Sequence, residues 1–428
     1  MSKLTNVELR RTLLAAVIVA LTVLGASWKA SATIPGETGT TFNLVARTGN
    51  ISTSDGDSFL MWGYGLDTVG GSMQYPGPTL ILQQGETITV TLKNELPTAA
   101  GNVSIVFPGQ IVTATGGVQG LLTREAPPDF TTTVTYTFVA SEPGTYMYHS
   151  GTRPDLQVEM GLVGAIIVRP SMGANYAYNH AGTRFDHEYL YLLTEMDPRI
   201  HRSIAFGQYN QVDTSSYFAT NWFINGRNFP DVMAANNVAW LPNQPYNCQP
   251  RMHPGETVLI RFIGAGRDLH PMHEHGNDFS VIAVDGRMLQ SAPGRGPDLQ
   301  WMSNTLRVLP GRTADVTWTW TGAGLGWDIY GHVAGDPLAP GEDPTDHAKP
   351  FPVIIPPRDE LTFGQFYSGS PFLGGSGELP AGHPGLNAYG GFFYMWHSHT
   401  EKELTSNDIW PGGLVSFMIV EPPGAPIP

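Results

Sequence analysis

The sequence predicts an all-β protein of two β-sandwich domains, and two observations support this prediction. The first is composition: 50 glycines and 35 prolines make up about a fifth of the 428 residues, against roughly an eighth in average usage. This supply of turn-forming residues, with only 14% charged residues, favours many short strands over long charged helices. The second observation is an internal repeat, in which one succession of motifs occurs twice along the chain.

Residues 1–32 are expected to be a secretory signal peptide. Arg10 and Arg11 form a basic start, residues 13–26 form an apolar stretch that is short for a membrane span, and residues 30–32 (ASA) form a small-residue cleavage site. An uncleaved membrane anchor is the alternative. No other segment of the sequence is long and apolar enough to cross a membrane. We therefore expect an exported chain, periplasmic or extracellular, with no membrane span after cleavage.

The charge of the chain bears on its partners. Residues 1–32 carry a net charge of +3, so the mature chain would carry −17 rather than the −14 of the whole sequence. A protein this acidic repels phosphate backbones, which argues against a nucleic-acid partner. A cation or a neutral small molecule is easier to reconcile with this charge.

The internal repeat defines the two domains. Gly-Glu-Thr at 85–87 and again at 255–257 precedes a β-branched run typical of a half-buried strand. Later, GTYMYHS is echoed by FYMWHS, and each is followed by an apolar strand that ends near a proline. We expect domains at residues 40–170 and 186–424. The second is longer because of a Gly/Pro-rich insertion at about 322–391, which either covers a site or subunit contact or is a solvated linker.

Histidine placement predicts a metal site in the second domain. The segments HPMHEHG and HSH each contain a His-x-His pair. Residues two apart in a strand project to the same face, so His273 and His275 can aim at one point, as can His397 and His399. Neutral imidazole is the usual nitrogen ligand of copper, zinc, iron and nickel. Unrelated surface histidines are the alternative interpretation.

Three other residues are weighed as contributors to this site. His149 matches His397 in the repeat and is expected to contribute, although a satisfied structural histidine is the alternative. His332 follows a tryptophan-rich segment and could enter the site. Cys248 is the only cysteine, which excludes an intramolecular disulfide and a multi-cysteine zinc or iron–sulfur site. It lies outside the expected ligand strands, so a packed thiol is expected and a copper ligand is the alternative.

These motifs together resemble those of the multicopper oxidases. HPMHEHG at 270–276 resembles the family's H-P-x-H-L-H-G motif, and YPGPTL at 75–80 resembles the opening of its first cupredoxin domain. FING at 223–226 and the segment 397–413 resemble a later opening strand and the closing segment. The resemblance covers nearly the whole mature chain. It implies two cupredoxin-like Greek-key β-sandwiches, similar to two-domain laccases and copper nitrite reductases, which form homotrimers with copper held between subunits.

The resemblance implies copper as the cofactor and a small molecule or dioxygen as the partner. In the family motif the first histidine binds the blue copper, and the other histidines face the oxygen-reducing cluster. Carried over to this chain, the metal ligands would be His149, His270, His273, His275, His397 and His399.

The chain departs from the family pattern at the blue copper site. Such a site needs a cysteine thiolate with two histidines and a weak axial ligand. Ser150 and Ser398 stand at the two cysteine positions, so neither domain should hold a blue copper. Residues 103–109 (VSIVFPG) and Gly151 replace further family histidines of the first domain. The remaining histidines suffice for one or two copper ions, not for a full trinuclear cluster.

Two functions from different classes follow. The first is a copper-dependent oxidoreductase without a blue copper, which uses a histidine-only centre at a domain or subunit interface. The second is a non-catalytic copper-binding or structural protein on a degenerate oxidase scaffold, which the missing ligands favour. A zinc hydrolase is a third hypothesis, because histidines also bind zinc.

Overall fold

The structure is a computed structural model that describes residues 33–276, 278–339, 342–350, 392–421 and 424–427. The expected signal peptide and residues 351–391 of the expected insertion lie outside the described residues. Strands dominate the described chain, and its longest helix has eight residues. The all-β prediction is therefore confirmed. Among the described residues, no helix has the length and apolar character needed to cross a membrane.

The first half of the chain forms two facing sheets. One has the strand order β1-β4-β11-β10 and the other the order β3-β2-β5-β9-β6, with β7 and β8 as a separate hairpin. The strands are β1 (Glu37–Thr38), β2 (Thr41–Ser52), β3 (Ser58–Leu66), β4 (Gly77–Gln83), β5 (Thr87–Asn94), β6 (Thr113–Gly116), β7 (Val118–Gln119), β8 (Arg124–Glu125), β9 (Thr133–Val139), β10 (Gly144–His149) and β11 (Val163–Arg169).

The second half repeats this plan. One sheet has the order β13-β12-β15-β21-β17-β18, with β19 beside β17, and the other has the order β14-β23-β22-β16-β20. The strands are β12 (His187–Met196), β13 (Asn221–Ile224), β14 (Arg251–Met252), β15 (Thr257–Gly264), β16 (His270–Glu274), β17 (Phe279–Val284), β18 (Arg287–Met288), β19 (Trp301–Ser303), β20 (Thr305–Val308), β21 (Thr313–Thr319), β22 (Phe392–Ser398) and β23 (Val415–Val420).

Among the described residues, helices occupy only short connections. They are α1 (Pro154–Gln157), α2 (Pro198–Ala205) and the 3₁₀ turns Thr98–Ala100, Ala181–Thr183, Tyr209–Gln211, Asp231–Met233 and Glu401–Leu404. Helix α2 begins where a proline follows Asp197, whose carboxylate accepts the backbone N–H of Arg199. An aspartate cap and a proline in the first turn both favour a helix start.

The burial of each strand reflects its place in the sandwich. Strand β5 alternates buried and partly exposed residues, as expected for a strand with one face on a core. Strand β11 is buried at every position. Its Ile166 and Val168 enter the first-half core, whereas Ala165 and Ile167 join an apolar layer that continues into the second half through Leu192. The two halves therefore pack sheet against sheet, and β11 is the shared layer.

Candidate metal centre

Two neighbouring strands hold four histidines at one end of the second sandwich. Strands β16 and β22 run antiparallel, and their register places His273 directly opposite His397. Directly opposed residues of a pair of strands lie on the same face of the sheet. His275 and His399 follow one residue after the ends of these strands, and each joins its own strand's histidine on that face. The two His-x-His segments thus meet through strand pairing.

The imidazole rings of these four residues, the His cluster, lie close together. The ring centroids of His273 and His275 are 5.0 Å apart, and those of His273 and His399 are also 5.0 Å apart. His275 and His397 are separated by 5.1 Å between centroids and by only 3.2 Å between their Nε2 atoms. The ligand atoms of His273, His275 and His397 all lie within 4.8 Å of one another. The convergence expected from the sequence is present in the structure.

Hydrogen bonds orient the rings from behind. His273 Nδ1 lies 2.8 Å from the hydroxyl of Thr305 on β20, and His397 Nδ1 lies 2.7 Å from the carbonyl oxygen of Ser398. When the Nδ1–H is donated in this way, the lone pair of Nε2 is left for a metal. Metal-binding histidines in proteins almost always have such a partner on the second nitrogen.

The environment keeps His273 and His397 neutral. Burial, together with the neighbouring His397 and His399, lowers the pKa of His273 to about 4. Burial, with His399 close by, also lowers the pKa of His397. A metal ligand must be unprotonated, so low pKa values favour metal binding at neutral pH.

The His cluster is closed on one side and open on the other. His273 and His397 are 6% and 7% exposed, whereas the side chain of His399 is 54% exposed. The carboxylate of Glu401 lies 3.6 Å from His399 Nδ1 and is itself 82% exposed. The sheet therefore supplies a rigid back wall, and solvent or a partner can reach the front.

The donor set fits a copper ion. With metal–nitrogen bonds of about 2.0 Å, neighbouring ligand nitrogens lie about 2.8 to 3.3 Å apart. The 3.2 Å between the Nε2 atoms of His275 and His397 falls in that range. Neutral imidazoles with oriented outer nitrogens suit copper, although imidazole alone does not exclude zinc.

His149 lies in the first half and is not among the residues that converge in this chain. Its Nδ1 is 2.9 Å from the carbonyl oxygen of Ser150, the same contact that His397 makes with Ser398. Burial lowers its pKa. It lines a cavity of about 300 Å³ between the two halves, together with Glu195 and Arg267. The repeat seen in the sequence thus extends to the orientation of the ring.

His270 takes a different role from the one that the family motif implies. It is fully buried, its Nδ1 lies 2.9 Å from Glu403 and its Nε2 lies 3.1 Å from Glu195. Burial alone would lower its pKa, but the two carboxylates outweigh burial and raise the pKa to about 9. His270 is therefore a protonated imidazolium at neutral pH with both nitrogens donated to carboxylates. In this arrangement neither nitrogen is free to bind a metal.

The serines at the expected cysteine positions are buried in the same kind of network. Ser398 Oγ donates to Glu403 Oε2 at 2.5 Å, the atom that also receives His270 Nδ1. In the first half, Ser150 Oγ donates to the amide oxygen of Gln157 at 2.5 Å. Hydroxyl groups thus occupy both positions where a blue copper would need a thiolate.

Cys248 is a core residue. Its thiol is 1% exposed and donates to the carbonyl oxygen of Leu190 at 3.3 Å. Burial raises its pKa, so it stays a neutral thiol, which is a poor ligand. Met160 is also fully buried, within the first-half core.

Glu274 and His332 both lie outside the His cluster. Glu274, between two cluster histidines, turns to the opposite face and accepts the indole N–H of Trp318 at 2.9 Å. His332 does not enter the His cluster; its ring contacts Glu342 and Asp328 in the loop after β21. Sequence reasoning missed Glu195 and Thr305, since both come from strands distant in the chain.

Comparison with known families decides the affiliation of the chain. Two family models, both described as multicopper oxidase, match residues 66–173 and 208–329, which together are more than half of the chain. The chain belongs to the multicopper oxidase family. The resemblance read from the histidine motifs is thereby confirmed. Members of this family bind copper, and copper oxidoreductase chemistry is the family's activity.

Curated relatives are distant and longer. The copper resistance protein A of Escherichia coli is 27% identical over 51% of this chain and 38% of its own length. Laccase-17 of Arabidopsis thaliana is 22% identical over 57% of this chain and 38% of its own length. The chain thus spans about two fifths of the length of the curated relatives it matches.

Solved structures share the fold. A multicopper oxidase termed mgLAC superposes with a TM-score of 0.55 at 19% identity, and it covers 91% of this chain and 87% of its own. The blue copper oxidase of Nitrosomonas europaea superposes with a TM-score of 0.54 at 17% identity, over 89% and 86% of the two chains. The cupredoxin-like β-sandwich architecture expected from the sequence is confirmed.

Proposed function

We propose that this chain is a copper-dependent oxidoreductase that works without a blue copper and binds copper through a histidine-only centre. The observation that carries the proposal is the His cluster, in which four imidazoles converge from paired strands while both expected thiolate positions hold buried serines. The metal ligands would be His273, His275, His397 and His399. Bound copper would supply one-electron redox chemistry.

The protein's own residues set the conditions for that chemistry. Thr305 and the carbonyl of Ser398 fix the tautomers of His273 and His397, so that both present Nε2. Strands β16 and β22 hold the rings on a rigid sheet, which keeps the ligand positions unchanged between redox states. The exposed His399 side admits a small reductant or dioxygen, and Glu401 beside it can exchange protons with solvent.

We further propose that the centre is completed at an interface between copies of the chain. His149 has an oriented ring but lies apart from the His cluster within one chain. The open side of the His cluster leaves room for a histidine from elsewhere. A homotrimer in which His149 of one copy faces the His cluster of the next would use both features. Export to the periplasm or outside the cell belongs to the same proposal.

The second candidate is copper binding without turnover. It is favoured by the absence of a thiolate at either serine position, since the thiolate is the family's route for electrons into the oxygen-reducing centre. Oxidation of bulky phenols at a distance from the centre should therefore be poor in either case. Small reductants that reach the His399 side distinguish the two candidates.

Oxygen consumption by the copper-loaded protein tests the proposal, with hydroquinone as the small reductant. We expect turnover by the unaltered chain and its loss in His273→Ala. His180→Ala, at a partly exposed histidine outside the His cluster, is the control and should keep the activity. A protein that binds copper but oxidises no hydroquinone, with either oxygen or nitrite as the electron acceptor, would contradict the oxidoreductase and favour the second candidate.

A further inference from the structure

A second group of potential metal ligands lies in the loop between β21 and β22. Asp328, His332, Glu342 and His347 place one ligand atom each within 4.8 Å of the other three. They are separate from the His cluster, and the copper chemistry above makes no use of them. We call these four residues the loop cluster.

The spacing of the loop cluster fits a single tetrahedral ion. His332 Nδ1 lies 3.3 Å from Asp328 Oδ2 and 3.2 Å from Glu342. His347 Nδ1 lies 3.7 Å from Asp328 Oδ2 and 2.7 Å from Glu342 Oε1. Four ligands held around zinc at about 2.0 to 2.2 Å would be about 3.3 to 3.6 Å apart. Three of the four measured distances lie within about 0.1 Å of this range, so only small side-chain movements would be needed for these ligands to surround an ion.

The outer hydrogen bonds hold the donors in place. His347 Nε2 lies 3.0 Å from the carbonyl oxygen of Asp336, which leaves the Nδ1 lone pair directed at the carboxylates. The Asp328 carboxylate accepts the backbone N–H groups of Tyr330 and Ala348, each at 2.8 Å. The Glu342 carboxylate accepts the backbone N–H of Ala339 at 2.6 Å.

Charge and burial call for a cation at this point. The carboxylates of Asp328 and Glu342 are 1% and 3% exposed, and the two imidazoles are 21% and 19% exposed. Once both imidazoles are unprotonated, as metal ligands must be, the two carboxylates leave a net charge of −2, which a divalent ion would neutralise. Calcium and magnesium prefer oxygen ligands alone, whereas two nitrogens with two carboxylates suit zinc.

We propose that Asp328, His332, Glu342 and His347 form a structural zinc site that fastens this loop to the second sandwich. The loop's anchor is beside the site, since Leu325 and Trp327 belong to the second-half core. Asp328 follows them directly, while Glu342 and His347 come from the far side of the loop. A closed set of four protein ligands is typical of structural rather than catalytic zinc.

Zinc titration by calorimetry tests the site in a His273→Ala/His397→Ala background, which removes two ligands of the His cluster. We expect one equivalent of Zn²⁺ to bind, and Asp328→Asn/Glu342→Gln in that background to weaken binding by at least about 100-fold. Asp285→Asn, at a 57% exposed aspartate outside the loop, is the matched control and should change the affinity by less than about threefold. No binding in the background, or unchanged binding in the Asn/Gln variant, would overturn the site.

Two further readouts keep the test decisive if the background variant does not fold. In a chain with the His cluster intact, Asp328→Asn/Glu342→Gln should lower the bound metal by one equivalent and weaken the ligand-field absorption of tetrahedral Co²⁺. Zn²⁺ should also slow proteolysis of the loop in the unaltered chain and not in the variant. Equal metal content and equal absorption in the two proteins would overturn the proposal. Because the loop cluster shares no residue with the His cluster, either proposed metal site can be refuted without affecting the other.

Discussion

At the scale of single residues, the second partner of each histidine separates a metal ligand from a structural imidazolium. His273 and His397 each donate one nitrogen to a neutral oxygen, and the other nitrogen of His397 faces His275 within the His cluster. His270, only three residues before His273, has carboxylates on both nitrogens. The sequence motif implies a metal ligand at each of these positions. The difference arises from Glu195 and Glu403, which are brought in by distant parts of the chain.

The hydroxyl of Thr305 is expected to tune the proposed copper site. Thr305→Val removes the acceptor of His273 Nδ1–H while keeping the shape of the side chain. Loss of such an outer partner typically costs about 10- to 100-fold in metal affinity. Thr115→Val, at an exposed position of β6, is the matched control. Competitive copper titration measures both variants, and equal affinities would show that Thr305 has no part in orienting His273.

His270 makes stability depend on pH. Its folded pKa of about 9 lies above the ordinary value of 6.5, so its stabilising effect is complete below about pH 6.5 and fades as pH rises through 9. The shift corresponds to about 3 kcal/mol. We expect the stability gap between the unaltered chain and His270→Gln to narrow by about this amount between pH 6 and pH 10. Urea unfolding at several pH values measures the gap, and a constant gap would contradict the imidazolium assignment.

The hydrogen bonds around Ser398 predict which substitutions would create a blue copper site. His270 Nδ1 and Ser398 Oγ both point at Glu403 Oε2. A blue site needs two imidazoles and a thiolate. Ser398→Cys alone therefore should give no intense blue absorption with copper, whereas Ser398→Cys/Glu403→His supplies the second imidazole and should give it. The visible spectrum decides, and a blue Ser398→Cys single variant would show that Glu403 does not block the site.

At the scale of elements, the pairing of β16 with β22 builds the His cluster, and alternation along β16 separates its two faces. His273 faces the cluster, while Glu274 faces the core and accepts the N–H of Trp318. The two His-x-His motifs were enough to predict this convergence. They could not predict Thr305, because the pairing of β16 with β20 is a tertiary contact with no signal in the motif.

Alternation along β16 can be tested with neighbouring substitutions. Glu274→Ala leaves the buried Trp318 N–H without this acceptor, which should lower the free energy of unfolding by about 1 to 3 kcal/mol. Copper affinity should stay within about threefold of the unaltered chain, because Glu274 points away from the cluster. His273→Ala should strongly lower the copper affinity and change the free energy of unfolding less than Glu274→Ala does. A large loss of copper affinity in Glu274→Ala would contradict the assigned faces.

At the scale of the whole molecule, the repeat explains the architecture but not the join between its halves. Composition and motif order predicted two sandwiches. The join consists of the apolar layer around β11 and a buried ion network, in which Arg261 contacts Glu188 and Asp315. Arg169 of the first half pairs with the same Glu188. Sequence patterns predict that charged residues within strands are exposed to solvent. The buried ion network therefore could not be predicted from the sequence.

The ion network is expected to matter for the stability of the whole molecule. Arg261→Met would leave Asp315 buried without its cation, and breaking a buried pair typically costs about 3 to 5 kcal/mol. Arg312→Met, at a 43% exposed arginine near Asp285, is the control and should cost less than about 1 kcal/mol. Equilibrium unfolding measures both. Equal effects would show that the network contributes no more than a surface pair.

The histidine-only copper centre is tested most directly by visible and electron paramagnetic resonance spectra of the copper-loaded chain. The Asp328→Asn/Glu342→Gln variant is used, so that the loop cluster does not contribute to the spectra. We expect bound Cu²⁺ with nitrogen couplings, no intense blue absorption, and loss of the signal when His273→Ala/His397→Ala is added. An intense blue band, or an unchanged signal without these two histidines, would contradict the account.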